Sequence, residues 1–198
     1  MNLPNKLTVS RMVMAPLLFI AFMLPEWGGE QLKTFSVIVT LILFGCTELT
    51  DLLDGIIARK WNMVTDLGKV MDPFADTFSR LTYFVCLSHA SVMPVWAFVI
   101  IMWREFSIVF VRMLMMGKGV AVPANIWGKS KAVLYAISAI VGFLFIALDH
   151  WAPSSSFIAS FEIVLIVVFG LAAFASLASF GTYIQAIIKG KFLSKMSR

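Results

Sequence analysis

The chain has 198 residues, of which 60% are hydrophobic and only 14% charged, and its mean hydropathy is +0.91. Soluble domains sit near 45–50% apolar and about 25% charged, so this excess excludes a water-soluble globule and makes lipid the solvent. The formal net charge of +5 comes from basic residues spread over the connections between apolar runs, which sets nucleic acid aside and points to anionic lipid headgroups.

A bilayer core about 30 Å thick is crossed by roughly 20 apolar residues in a helix. Six segments meet that requirement, near 9–25, 34–57, 67–90, 94–116, 131–149 and 157–188. Ahead of the first, Asn2-Leu3-Pro4-Asn5-Lys6-Leu7-Thr8 is read as a polar turn. The run after Arg11 ends in Pro25-Glu26-Trp27 rather than at a small-residue cleavage site, so the first segment is expected to stay as a helix. Trp27, Trp96, Trp103, Trp127 and Trp151 lie mostly near segment ends, where indoles favour the membrane–water interface. Cys46 and Cys86 fall in apolar runs and match neither a zinc site nor a disulfide framework. The tail from Lys189 onward is basic and loosely amphipathic, suited to the membrane surface. The expected fold is all-α: a polytopic membrane protein with six transmembrane helices, forming one unit over 1–198.

An even number of spans puts both termini on one side. On that side fall Lys6, Arg11, Arg59, Lys60, Lys118, Lys129, Lys131, Lys189, Lys191, Lys195 and Arg198. The opposite connections hold Lys33, alongside Glu26, Glu30 and Asp149. Positive charge accumulates in the cytoplasm, so the N- and C-termini are expected there, in an inner (cytoplasmic) membrane.

Ionisable groups inside membrane segments are expensive and default to functional roles. Six of the eleven acids, Glu48, Asp51, Asp54, Asp66, Asp72 and Asp76, fall between positions 48 and 76. Asp51 and Asp54 are spaced i,i+3 and Asp72 and Asp76 i,i+4, so each pair shares a helix face, with Gly68 one turn back from Asp72. The short connection 59–66 makes the two helices antiparallel neighbours, with both acidic faces on one cavity. Gly55 and Gly68 permit close approach there. Four facing carboxylates require protons or cations, and oxygen donors without histidine or cysteine favour Mg²⁺ or Mn²⁺ over zinc. Two such ions about 3.5–4 Å apart suit phosphoryl chemistry, and Arg59 and Lys60 stand beside them. The rival reading of the spacing is a proton or cation carrier. The predicted position at the cytoplasmic end weighs against it, because transporter sites sit near the midplane.

In order, the chain reads Asp51-x2-Asp54-Gly55-x2-Ala58-Arg59-x8-Gly68-x3-Asp72-x3-Asp76. This resembles the signature of the CDP-alcohol phosphatidyltransferase family at every defining position. The resemblance implies a six-helix membrane enzyme, usually a homodimer, that moves a phosphatidyl or similar group from a CDP-linked donor to an alcohol. It implies that Asp51, Asp54 and Asp72 ligate one Mg²⁺, that Asp51, Asp72 and Asp76 ligate a second, and that Asp76 is the catalytic base. It places Gly55, Ala58, Arg59 and Gly68, with Thr65 close by, at the CDP-lipid, together with Pro4, Asn5 and Thr8 of the N-terminal segment.

Asn2-Leu3-Pro4-Asn5-x-Leu7-Thr8-x-Ser10-Arg11, Asp72-Pro73-x-Ala75-Asp76, Arg104-Glu105, Arg112 and Gly128-Lys129-x-Lys131 resemble the phosphatidylglycerophosphate synthase branch. That likeness implies CDP-diacylglycerol as donor and glycerol 3-phosphate as acceptor, its phosphate held by Arg104, Arg112, Lys129 and Lys131. Arg104 and Arg112 lie about 80° apart around a helix, close enough to border one cavity. Serine, an inositol phosphate or phosphatidylglycerol are the alternative acceptors. One position departs from the branch, which carries lysine directly after the last aspartate. Here that residue is Thr77, and Arg80 follows one turn beyond Asp76, placed either to replace the missing cation or to pair with Asp76 or Asp72. Glu105 and Glu48 are read as partners that neutralise Arg104 or other intramembrane charges.

Overall fold

The computed structural model describes residues 2–61, 66–116, 126–153 and 155–189, without the side chains at 58–59, 66–67, 69, 114–116, 126–129, 155–160 and 186–189. All regular structure among them is helical: α1 (Leu3–Gly28), α2 (Lys33–Lys60), α3 (Asp66–His89), α4 (Val95–Met116), α5 (Ile126–Trp151) and α6 (Ser155–Lys189), with a 3₁₀ turn at Glu30–Leu32. Six helices stand where six segments are expected, which makes this an all-α, multi-pass membrane protein. Four of the helical stretches, Leu3–Gly28, Glu30–Ile57, Ser130–Trp151 and Phe161–Gln185, are long and apolar enough to cross a membrane on composition alone. Charged residues set α3 and α4 apart: Asp72, Asp76 and Arg80 on one, Arg104, Glu105 and Arg112 on the other.

The N-terminal segment departs from the expected turn, because α1 already begins at Leu3 with Pro4 in its first turn. Proline favours that position, since its ring presets φ and the missing N–H has no intrahelical acceptor there. α1 ends at Gly29, whose φ of 99° is in the left-handed region open to glycine. A tight turn joins α3 to α4: the amides of Val92 and Met93 both donate to the Leu87 carbonyl, at 2.9 and 3.0 Å.

The acidic faces of α2 and α3 converge as expected, but not through direct packing of the two helices. These two helices touch only slightly, while α1 packs extensively against both. Two acidic faces repel when set directly together, and α1 supplies a cation between them. α5 and α6 form the other close pair, with α4 against α6 and against α3. Aromatic rings lock the interior. Phe44 of α2 meets Tyr83 of α3 at 5.1 Å and Phe143 of α5 at 4.7 Å, and Phe84 sits edge-on to Tyr135 and Phe169. At Gly142 the helices approach closely, for an added Cβ would lie 2.9 Å from the Leu87 side chain and 3.3 Å from Phe169.

Candidate functional site

Arg11 is the hub of the acidic end. Its side chain, 2% exposed, hydrogen-bonds Asp51 through Nη1, Asp76 through Nη1 at 2.6 Å and Asp54 through Nη2 at 2.5 Å. One turn earlier on α1, the Thr8 hydroxyl donates to Asp72 Oδ1 at 2.7 Å. Pro4, Thr8 and Arg11 recur at i, i+4 and i+7 and are all buried, so one face of α1 gathers all four aspartates. Asp54 is buried, whereas Asp51 and Asp76 keep about a third of their side-chain surface open, at 32% and 31%.

Beside this cluster Arg80 lies 4.0 Å from Asp51 and lines a small recess with Glu48, Ser79 and Tyr83. The Ser79 and Tyr83 hydroxyls are buried there without a hydrogen-bond partner among the described residues. The partner at ion-pair distance from Arg80 is Asp51 of α2, rather than the Asp76 or Asp72 of its own helix that the spacing suggested. Thr77, in the place of the branch's lysine, is buried.

The basic residues form a second cluster built the opposite way. Glu105 Oε1 accepts from Arg104 Nη1 at 2.9 Å, Lys131 Nζ at 2.5 Å and Tyr135 OH at 3.1 Å. Arg104 Nη2 also donates to Ser179 Oγ at 2.8 Å, and the Tyr135 oxygen lies 2.9 Å from Ser176 Oγ. All of these residues are buried, and the Lys131 ammonium stands 4.7 Å above the Tyr135 ring. Glu105 therefore neutralises Arg104, as its position in the sequence suggests, and holds Lys131 as well.

The structure brings Pro4, Thr8, Asp51, Asp54, Asp72 and Asp76 together. Asn5 is buried on α1, Gly55 is half-buried on α2 and Gly68 is buried on α3. Arg104 and Lys131 meet, but Arg112 lies exposed on α4 and outside that network. Thr65 and the side chains of Ala58, Arg59 and Lys129 lie outside the described residues. Sequence reasoning did not single out Arg11 as a site residue. Its signal is the i, i+4, i+7 recurrence with Pro4 and Thr8 opposite an acidic cluster.

The aspartates match a hard divalent cation in kind, since every donor is a carboxylate oxygen. Around the guanidinium, no three acidic, histidine or cysteine side chains among the described residues stand close enough to hold an ion together. With all four aspartates ionised, Arg11 and Arg80 balance only half of the charge, so the donor set retains an appetite for further cations.

The sequence model of the CDP-alcohol phosphatidyltransferase family matches residues 1–172. A CDP-diacylglycerol–glycerol-3-phosphate 3-phosphatidyltransferase of Bacillus subtilis is 35% identical over 71% of this chain and 76% of its own length. The protein of the same description from Treponema pallidum is 32% identical over 89% of this chain and 87% of its own. A CMP-forming cardiolipin synthase of Streptomyces coelicolor is 31% identical over 66% of this chain and 59% of its own.

Proposed function

The chain belongs to the CDP-alcohol phosphatidyltransferase family, and on that premise we propose that it transfers the phosphatidyl group of CDP-diacylglycerol to glycerol 3-phosphate, releasing CMP and forming phosphatidylglycerophosphate. The observation that carries this reading is the gathering of Asp51, Asp54, Asp72 and Asp76 onto one face of α1, within the same molecule as a buried basic cluster. The relatives' acceptor, glycerol 3-phosphate, is anionic and calls for such a cationic partner.

Asp51, Asp54, Asp72 and Asp76 would hold two Mg²⁺ ions, with Mn²⁺ as the alternative. When bound, these ions would neutralise pyrophosphate oxygens and the charge developing on CMP. Asp76 keeps part of its surface open and takes the proton of the acceptor's primary hydroxyl. The freed oxygen bonds to the phosphorus that carries diacylglycerol, and the bond from that phosphorus to the CMP oxygen breaks. Arg80, with the Ser79 and Tyr83 hydroxyls, faces the incoming acceptor on the side of Asp51 and Asp76. Arg104 and Lys131 outnumber Glu105, which leaves one positive charge in that cluster for the acceptor's phosphate. Pro4, Asn5, Thr8, Gly55 and Gly68 border the CDP-lipid. The whole chain acts as one catalytic unit in the inner membrane, as a homodimer, with both termini and the aspartates at the cytoplasmic face.

The test is to incubate the purified protein with CDP-diacylglycerol, Mg²⁺ and labelled glycerol 3-phosphate, following CMP and labelled lipid together. Coupled, metal-dependent appearance of both is the expected result. CMP release only with one of the alternative acceptors, such as phosphatidylglycerol, would keep the chemistry and replace the acceptor. No CMP release from folded protein with any alcohol would overturn the reading.

A further inference from the structure

At the end of the helices opposite the aspartates, a cavity of about 210 Å³ opens between α1, α2 and α5. Its walls are apolar, built from Phe22, Leu41 and Phe143, while its rim carries Lys33, Asp149 and His150. Inside it lines Thr40, which is 3% exposed and whose hydroxyl has no hydrogen-bond partner among the described residues. A buried hydroxyl without a partner is expensive, so this one points to a ligand that brings an acceptor. Lys33 and Thr40 are seven residues apart on α2, which spans about 10 Å along the helix at 1.5 Å per residue. The cavity thus runs from a charged rim, past Ser36, whose hydroxyl donates to the Phe22 carbonyl at 3.3 Å, to the unpartnered Thr40 hydroxyl set among hydrocarbon walls. Trp27 and Trp151, both exposed near that rim, place it at the level where indoles meet lipid headgroups.

We propose that this cavity is a binding site for one zwitterionic diacyl phospholipid drawn from the leaflet opposite the aspartate cluster. Lys33 receives the phosphate, flanked by His150, whose Nε2 lies 2.9 Å from the Thr34 hydroxyl, and Asp149 receives the ammonium. Thr40 donates to an ester carbonyl, and an acyl chain lies along Leu41 and Phe143. The rim carries both signs of charge, which fits a headgroup with both signs and disfavours a purely anionic one. Lys33 already stands 3.7 Å from Glu30, but both side chains are largely exposed, at 51% and 84%, and such a pair is readily exchanged for a phosphate. Glu26 is held elsewhere, 2.7 Å from His89.

The experiment is native mass spectrometry of the full-length protein released from nanodiscs containing equal phosphatidylethanolamine and phosphatidylglycerol. One retained phosphatidylethanolamine is expected, about tenfold over phosphatidylglycerol, as one charge-assisted contact provides. Asp149→Asn should bring the two lipids to near equality. Thr40→Val, close in volume, should lower total retention by about fivefold while the melting temperature holds. Equal retention of the two lipids by the wild-type protein, or a preference that Asp149→Asn leaves unchanged, would overturn the proposal. Because the site is remote from the aspartates, this result is independent of whether the transfer reaction is as proposed.

Discussion

The aspartate cluster and the Glu105 cluster are built as opposites. In the first, one buried guanidinium, Arg11, binds three carboxylates directly, while Thr8 binds a fourth. In the second, one buried carboxylate, Glu105, binds two cations and a phenol. Both obey the same rule, that an ion removed from water must meet its counter-ion, while the Nε of Arg11 and of Arg104 is left buried without a hydrogen-bond partner among the described residues. They differ in the sign of what is left over: the first keeps excess negative charge and suits metal-bound pyrophosphate, the second keeps excess positive charge and suits a phosphate. A cytidine-linked lipid and a soluble phosphorylated alcohol would each find a matching end.

The largest effect expected from breaking this symmetry is chemical. Asp76→Asn should lower CMP release by about 10³-fold in protein that still elutes as a folded species, the usual scale for losing a general base. Next comes Glu105→Gln, which leaves Arg104 and Lys131 buried without an anion and should destabilise by about 3 kcal/mol, read from thermal unfolding in detergent. Arg11→Met should destabilise by a similar amount without divalent cations. Added Mg²⁺ should restore much of that loss, because Asp51, Asp54 and Asp76 then have another cation. Mg²⁺ should do nothing for Glu105→Gln, which sharpens the contrast. The smallest effect is Tyr135→Phe, which removes the phenol from Glu105 and Ser176 and should cost about 1 kcal/mol in the same melt.

The helices and the acidic spacing were legible because hydropathy and i,i+3 or i,i+4 periodicity are local properties. Six apolar runs become α1–α6, with ends displaced by one to three residues at most positions, by five at the start of α5, which begins at Ile126 rather than near 131, and by six at the start of α1, which begins at Leu3 rather than near 9. How the helices pack was not legible in the same way. The short connection between α2 and α3 suggested direct neighbours, but connection length does not weigh the repulsion between Asp51, Asp54, Asp72 and Asp76. Interposing α1 relieves that repulsion, and this made Arg11 the hub although it looked like one more basic residue near a terminus. Glu105 was legible as a neutralising partner because it adjoins Arg104. Its grip on Lys131, on another helix, was not.

The division of labour between the two clusters is tested most directly by measuring KM for each substrate in Asp54→Asn and in Lys131→Gln. Lys131→Gln is expected to raise KM for glycerol 3-phosphate by about tenfold and to leave that for CDP-diacylglycerol in place, with Asp54→Asn doing the reverse. If both variants instead moved the two constants together, the aspartates and the Glu105 cluster would not be separate donor and acceptor sites.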